Sequence, residues 1–316
     1  MLAFFLIAGL ALLLVGGDLF VRGSVNVARR FGISPLLIGL ALVGFGTSTP
    51  ELVTSLQAAF AGSPGVAVGN VVGSNIANIL LILGLAALIQ PVMAARGPFK
   101  RDAAVLTVSA LAALALVQSG MLDRLSGILF VMGLVAYIGF AIWQERRALP
   151  ATSALPSEAA ETPQGGHLLL DLLLTVIGLG LTIGGASLLI DGAVGIATRF
   201  GISETIIGLT IVAIGTSLPE LVTSLVAAIR KQGDVAFGNI VGSNIYNILG
   251  ILGVTAIVKP IPVPQEIANV DIWVMLAATA ALIIFAFSRG RIGRVEGAIM
   301  LAGYIGYTVW LAGQAV

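Results

Sequence analysis

Long apolar runs separated by short polar breaks occupy almost the whole chain. Ten runs stand out, at approximately 2–29, 34–60, 66–90, 102–119, 124–144, 168–198, 203–229, 235–258, 270–288 and 294–313. Each is long enough to cross a ~30 Å hydrocarbon core as a helix. The pattern predicts an all-α membrane protein with ten transmembrane helices. The first run has no A-x-A-like cleavage signal and resembles the sixth (GGDLFVRGSVNVARRFGIS against GASLLIDGAVGIATRFGIS). It is expected to be a structural helix in a mature chain that begins near Met1. Between the fifth and sixth runs, Glu145 to Gly166 is rich in Pro, Ala, Ser and Glu without apolar periodicity, as in a flexible linker.

One stretch occurs twice. FGISPLLIGLALVGFGTSTPELVTS starts at Phe31 and FGISETIIGLTIVAIGTSLPELVTS at Phe200, each followed by GN-x-x-GSNI-x-NIL, with equivalent residues 169 positions apart. Roughly six in ten positions match from Phe31 to Pro91. Each copy spans five runs, an odd number, so the second copy must enter the membrane from the opposite side. The expected organisation is a first five-helix repeat (1–144), a cytoplasmic linker (145–167) and a second, inverted repeat (168–316). Inverted repeats place substrate sites near the bilayer midplane at the repeat interface, here a central core of four helices.

Loop charge orients this arrangement. Loops after odd-numbered runs carry Arg29, Arg30, Arg96, Lys100, Arg101, Arg146, Arg147, Arg230, Lys231, Arg289, Arg291 and Arg294, against Arg124, Arg199 and Lys259 after even-numbered ones. The positive-inside rule therefore puts both termini outside and the odd loops in the cytoplasm of a multi-pass protein of the plasma (inner) membrane. Composition agrees: 58% of residues are hydrophobic and 10% charged, where a soluble domain has about a quarter charged. A formal net charge of +1 offers no basic surface for nucleic acid. No protein partner is evident. Cysteine is absent, which excludes a disulfide framework and a thiol nucleophile. His167, the one histidine, falls in the linker and reads as solvated.

The repeat also duplicates a buried carboxylate. Glu51 and Glu220 lie inside apolar sequence, where an ionised group costs on the order of 3 kcal/mol or more and persists when it has a task. Thr47, Ser48 and Glu51 share one helix face, as do Thr216, Ser217 and Glu220. Pro50 and Pro219 precede the glutamates and free carbonyls near Gly44 to Gly46 and Ala213 to Gly215, so Gly44 and Ala213 are candidate backbone ligands. In the next helix, Asn70, Ser74 and Asn78 form a stripe that Asn239, Ser243 and Asn247 repeat. Carboxylates, hydroxyls, amides and freed carbonyls together suit a hard cation. Buried Ser and Thr also bond back to their own helix, and buried Asn also glues helices together. Asp18 and Arg22, spaced i, i+4, read as a local ion pair; Asp191, Glu204, Glu266 and Asp271 fall near helix ends.

The paired motifs G-T-S-x-P-E and G-N-x-x-G-S-N-x-x-N resemble the α-repeats of the sodium/calcium exchanger family, within the Ca²⁺/cation antiporter superfamily. The resemblance implies a ten-helix fold and exchange of Na⁺ for Ca²⁺, the two transported ions, with no cofactor. It implies Glu51 and Glu220 as principal ligands, oxygens from Thr47, Ser48, Thr216 and Ser217, and Ser74, Asn78, Ser243 and Asn247 completing the set. Some family members, including potassium-dependent ones, carry aspartate at the position of Asn247. With asparagine there, two formal charges remain, which argues for a K⁺-independent exchanger. The alternative is a Ca²⁺/H⁺ antiporter that uses the glutamates as proton acceptors. A channel fits an inverted repeat poorly. An enzyme is not expected, since no nucleophile constellation or cofactor fingerprint accompanies the glutamates.

Overall fold

A computed structural model describes residues 2–31, 35–93, 96–148, 168–199 and 213–314. Within hydrocarbon every backbone polar group must bond inside the protein, so apolar sequence of this length folds as helix. Eight helices among the described residues are long and apolar enough to cross a membrane: 4–28, 64–89, 99–118, 124–144, 168–188, 233–258, 267–289 and 294–313. The second expected run is broken into pieces at Pro35–Ile38, Gly39–Val43, Gly44–Thr47 and Thr49–Phe60. The seventh shows Ala213–Thr216 and Leu218–Ile229, while 203–212 lies outside the described residues. The helix from Arg124 continues to Ala148, and 149–167 of the expected linker, His167 included, lies outside the described residues, as does Glu204.

The first and sixth helices, Leu2–Arg30 and Leu168–Arg199, pack along their length. A Cβ added at Gly16 would stand 2.6 Å from the Thr182 nitrogen, one at Gly23 2.5 Å from Thr175, one at Gly178 2.3 Å from Phe20 and one at Gly185 2.7 Å from Leu13. Positions rise along one helix as they fall along the other, so the two run antiparallel. Glycine is what allows backbone this close. Arg30 and Asn26 of the first helix both reach the buried carboxylate of Asp171. Asp18 pairs with Arg22, as its spacing predicts, and also with Arg230, which ties this helix pair to the end of Leu218–Ile229.

Two short antiparallel pairings join the halves at their edges. Val92–Met93 pairs with Arg291–Ile292, and Met121–Leu122 with Ile261–Pro262. Exchanging the halves maps one pairing onto the other. Tyrosine–aspartate links follow the same exchange: Tyr137 donates to Asp102 at 2.9 Å and Tyr307 to Asp271 at 2.7 Å. Asp271, read from sequence as a helix-end residue, is therefore bound to the last helix. The most buried spans are 64–89 and 233–258. They form the centre of the molecule and carry the two asparagine stripes.

Candidate ion-binding site

The break in each glutamate helix follows from proline. Pro50 has no N–H to give to the carbonyl four residues earlier, and the helix stops at Thr47, passes through Ser48 (φ −82°, ψ 10°) and restarts at Thr49. Ser217 (φ −88°, ψ 7°) does the same before Leu218 and Pro219. Each glutamate thus stands in the first turn of a new half-helix, where the helix dipole favours negative charge, while the preceding half-helix ends in released carbonyls. Such opposed half-helix ends are a way to hold ions at membrane depth.

Both glutamates are fully buried, and each is bonded by the other half of the chain. Ser48 donates to Oε1 of Glu220 at 2.8 Å, and Ser217 donates to Oε1 of Glu51 at 3.0 Å. Ser217 also lies 3.2 Å from the Ser74 hydroxyl. Thr47 reaches Oδ1 of Asn239 at 3.2 Å, and Thr216 reaches Oδ1 of Asn70 at 3.4 Å. The Gly44 carbonyl lies 3.4 Å from the hydroxyls of both Thr47 and Ser243 and accepts the Ser48 N–H at 3.2 Å. Ala213 opens the turn that corresponds to Gly44–Thr47 in the second half.

Several polar atoms in this buried cluster have no hydrogen-bond partner: Oε2 of Glu51, Oε2 of Glu220, and both the oxygen and the nitrogen of Asn78 and of Asn247. A buried polar atom without a partner costs free energy, on the order of 1–3 kcal/mol for a neutral group and more for a charged one. They come in repeat-related pairs, and the segment that carries Asn78, Ala77–Leu83, packs on the helix of Glu220 as Tyr246–Leu252, with Asn247, packs on that of Glu51, which makes this the candidate locus for a polar guest. The helix geometry changes at the same place. Asn78 and Asn247 each stand second in a π-helical segment, Ala77–Leu83 and Tyr246–Leu252, the widened turn often found at functional sites.

The described ion pairs involve Asp18, Asp171, Asp102 and Glu296, and neither Glu51 nor Glu220. Two carboxylates without a basic neighbour call for a cation. Among the described residues, no three His, Cys, Asp or Glu side chains gather as a metal-holding group. The remaining oxygens here are neutral hydroxyls, amides and carbonyls, a set matched to a hard ion that enters and leaves rather than to a tightly held transition metal.

Asn70 and Asn239 are expected from the sequence among the neutral oxygen ligands. Their amide nitrogens are bound to the glutamate turns, at the Glu51 carbonyl (3.0 Å) and the Glu220 carbonyl (3.4 Å). Ser55 and Ser224, not among the residues expected from sequence, accept from those same amides at 2.9 and 2.8 Å. Their signal was present, since both end the duplicated ELVTS, four residues after each glutamate.

A family model described as sodium/calcium exchanger protein matches residues 1–143 and 170–313. The putative antiporter CaxA of Alkalimonas amylolytica is 42% identical over 306 residues, 96% of each chain. Inner membrane protein YrbG of Escherichia coli (strain K12) is 36% identical over 310 residues, covering 97% of this chain and 94% of its own. A solved structure of the sodium-calcium exchanger NCX_Mj, soaked with Na⁺ and Ca²⁺, matches with a TM-score of 0.84 and 34% identity, covering 98% of this chain and 97% of that one.

Proposed function

The chain belongs to the sodium/calcium exchanger protein family, and from that premise we propose that it exchanges Na⁺ for Ca²⁺ across the membrane by alternating access at one shared site. The observation that carries this reading is the reciprocal bonding of the two glutamates, Ser48 to Glu220 and Ser217 to Glu51. Each half holds the other's carboxylate, so the site exists only where the halves meet. The ligands are Glu51 and Glu220 with oxygens of Thr47, Ser48, Thr216, Ser217, Ser74, Asn78, Ser243 and Asn247 and the carbonyls of Gly44 and Ala213.

Na⁺ and Ca²⁺ are close in radius and differ twofold in charge, so one flexible oxygen cage holds either in competition. Competition at shared ligands yields exchange. With ions bound the two carboxylates are neutralised and the halves can move around them; with none, unpaired charge facing low dielectric resists the movement. Ten transmembrane helices in two inverted repeats fit this mechanism, and the antiparallel packing of the first and sixth helices supports the inversion. The neutral side chains of Asn78 and Asn247 support K⁺-independence. Loop charge and the name of the Escherichia coli relative support an inner-membrane location with both termini outside.

The unpartnered Oε2 atoms of Glu51 and Glu220 would equally accept protons, which is the basis of a second reading, Ca²⁺/H⁺ antiport. Radioactive Ca²⁺ uptake into reconstituted vesicles, under Na⁺, K⁺ or H⁺ gradients imposed singly, separates the two. Uptake driven by Na⁺ and lost in Glu51→Gln and Glu220→Gln is expected. Uptake driven by ΔpH without Na⁺ selects the second reading, and full Na⁺-driven flux in both glutamine variants overturns the site.

A further inference from the structure

Ser55 and Ser224 are fully buried, and each stands one helical turn beyond a glutamate. Neither bonds to a carboxylate. The Asn70 amide nitrogen donates to Ser55 Oγ at 2.9 Å and to the Glu51 carbonyl at 3.0 Å; that of Asn239 donates to Ser224 Oγ at 2.8 Å and to the Glu220 carbonyl at 3.4 Å. An asparagine amide offers two hydrogens and one oxygen, so both hydrogens are committed in each half.

The orientation is set by groups of fixed polarity. A backbone carbonyl only accepts, and a flipped Asn70 would place its own oxygen against that of Glu51. Ser55 donates its proton to the Ala67 carbonyl at 3.3 Å, so what it presents to Asn70 is a lone pair. The asparagine oxygen is thereby turned across the interface between halves. There Asn70 Oδ1 faces the Thr216 hydroxyl at 3.4 Å, and Asn239 Oδ1 faces the Thr47 hydroxyl at 3.2 Å. A hydroxyl whose proton is held by an acceptor keeps its lone pairs for a cation, whereas a hydroxyl aiming its proton at the cation would repel it. For Thr47 the Val43 carbonyl at 3.0 Å shares that proton.

We propose that Ser55 and Ser224 are positioning residues of the ion site: each orients an asparagine, Asn70 or Asn239, which anchors the glutamate turn of its own half and holds the threonine hydroxyl of the other. The proposal rests on the ion-site reading above. Its consequence is specific: removing a serine hydroxyl leaves an amide hydrogen buried without an acceptor and lets the asparagine turn, which weakens ion binding in addition to any cost to the fold.

The test uses the full chain with Ser55→Ala, Ser224→Ala, the double variant, and Ser55→Thr and Ser224→Thr, which restore a hydroxyl. Ca²⁺ alone is titrated against detergent-solubilised protein by calorimetry, and half-saturating Ca²⁺, maximal exchange rate and thermal unfolding are measured in parallel. Each alanine variant is expected to weaken Ca²⁺ binding about tenfold. Maximal rate should change far less, and the threonine variants should recover affinity. Wild-type affinity in the alanine variants overturns the proposal. So does a loss that merely follows the unfolding temperature and persists in the threonine variants. If the wild-type protein itself neither binds nor moves Ca²⁺, the ion-site reading fails first and the proposal falls with it.

Discussion

The hydroxyl of Ser48 donates to Glu220 at 2.8 Å across 172 positions of sequence, and that of Ser217 returns the bond to Glu51 at 3.0 Å across 166. Each glutamate is thus bonded by a serine of the other half of the chain. The two bonds are alike in role but unequal in surroundings, because Ser217 also lies 3.2 Å from Ser74.

That inequality gives an ordering. Hydrogen bonds to ionised groups contribute roughly 1.5–3 kcal/mol, so Ser48→Ala and Ser217→Ala should each weaken Ca²⁺ binding by about tenfold or more. Ser217→Ala should lose more, since Ser74 is released with Glu51. Calorimetric Ca²⁺ titration of the two variants reads the order directly; equal affinities, or the reverse order, would count against the geometry.

The first and sixth helices supply a matched pair of substitutions. A Cβ at Gly178 would stand 2.3 Å from the Phe20 nitrogen, where backbone must shift, whereas one at Gly180 meets nothing within 4 Å. Gly178→Ala should lower the unfolding temperature and slow exchange, and Gly180→Ala should leave both near wild type. Overpacking of this kind typically costs about 1–3 kcal/mol. A tolerated Gly178→Ala would show that the helices do not approach so closely.

Asn247→Asp tests the charge of the site. Both polar atoms of Asn247 lack partners, and an aspartate there would make three buried carboxyl groups where two now stand. An added monovalent cation would offset the third. The variant should exchange faster as K⁺ is added on the Ca²⁺ side, while the wild-type rate stays flat. Uptake at fixed Na⁺ and stepped K⁺ measures it, and K⁺-stimulated wild-type exchange would contradict the two-charge reading.

Orientation is open to labelling because the chain has no cysteine of its own. Ser119 and Ser288 are both exposed, at the ends of the fourth and ninth helices, on opposite sides of the expected topology. In intact cells Ser119→Cys should react with a membrane-impermeant maleimide and Ser288→Cys should not. The reverse labelling would invert the assignment made from loop charge.

A smaller effect concerns a turn. Gly62 ends its helix at φ 76°, and the position 169 residues later is Lys231 at φ 59°, exposed and in the left-handed region. Non-glycine residues seldom adopt that conformation. Lys231→Gly should raise the unfolding free energy by up to about 1 kcal/mol, read by thermal melts in detergent; a fall in stability would mean that the lysine side chain makes up for its backbone.

Local chemistry made much of this legible in advance. The helix breaks at Ser48 and Ser217 follow from Pro50 and Pro219, because a missing N–H acts within four residues of itself. The apolar runs follow from the cost of polar backbone in lipid, and the Asp18–Arg22 pair from i, i+4 spacing. Ser55 and Ser224 are not legible in the sequence, because a helical serine is expected to bond back to its own turn, and these two accept from the neighbouring helix.

The duplicated motifs single out candidate residues for the chemistry, because a second copy in register makes accident a poor explanation. Which half each of them serves is invisible in linear order. Ser48 stands three residues from Glu51 yet bonds to Glu220, Arg230 reaches back 212 positions to Asp18, and the Asn70 oxygen faces a threonine of the other half. Spacing along a chain constrains contacts only within a turn or two of helix. Partners across an interface are chosen by how the helices pack, and here the packing brings Thr47, Ser48, Thr216 and Ser217 against the opposite copy while Ser55 and Ser224 stay with their own.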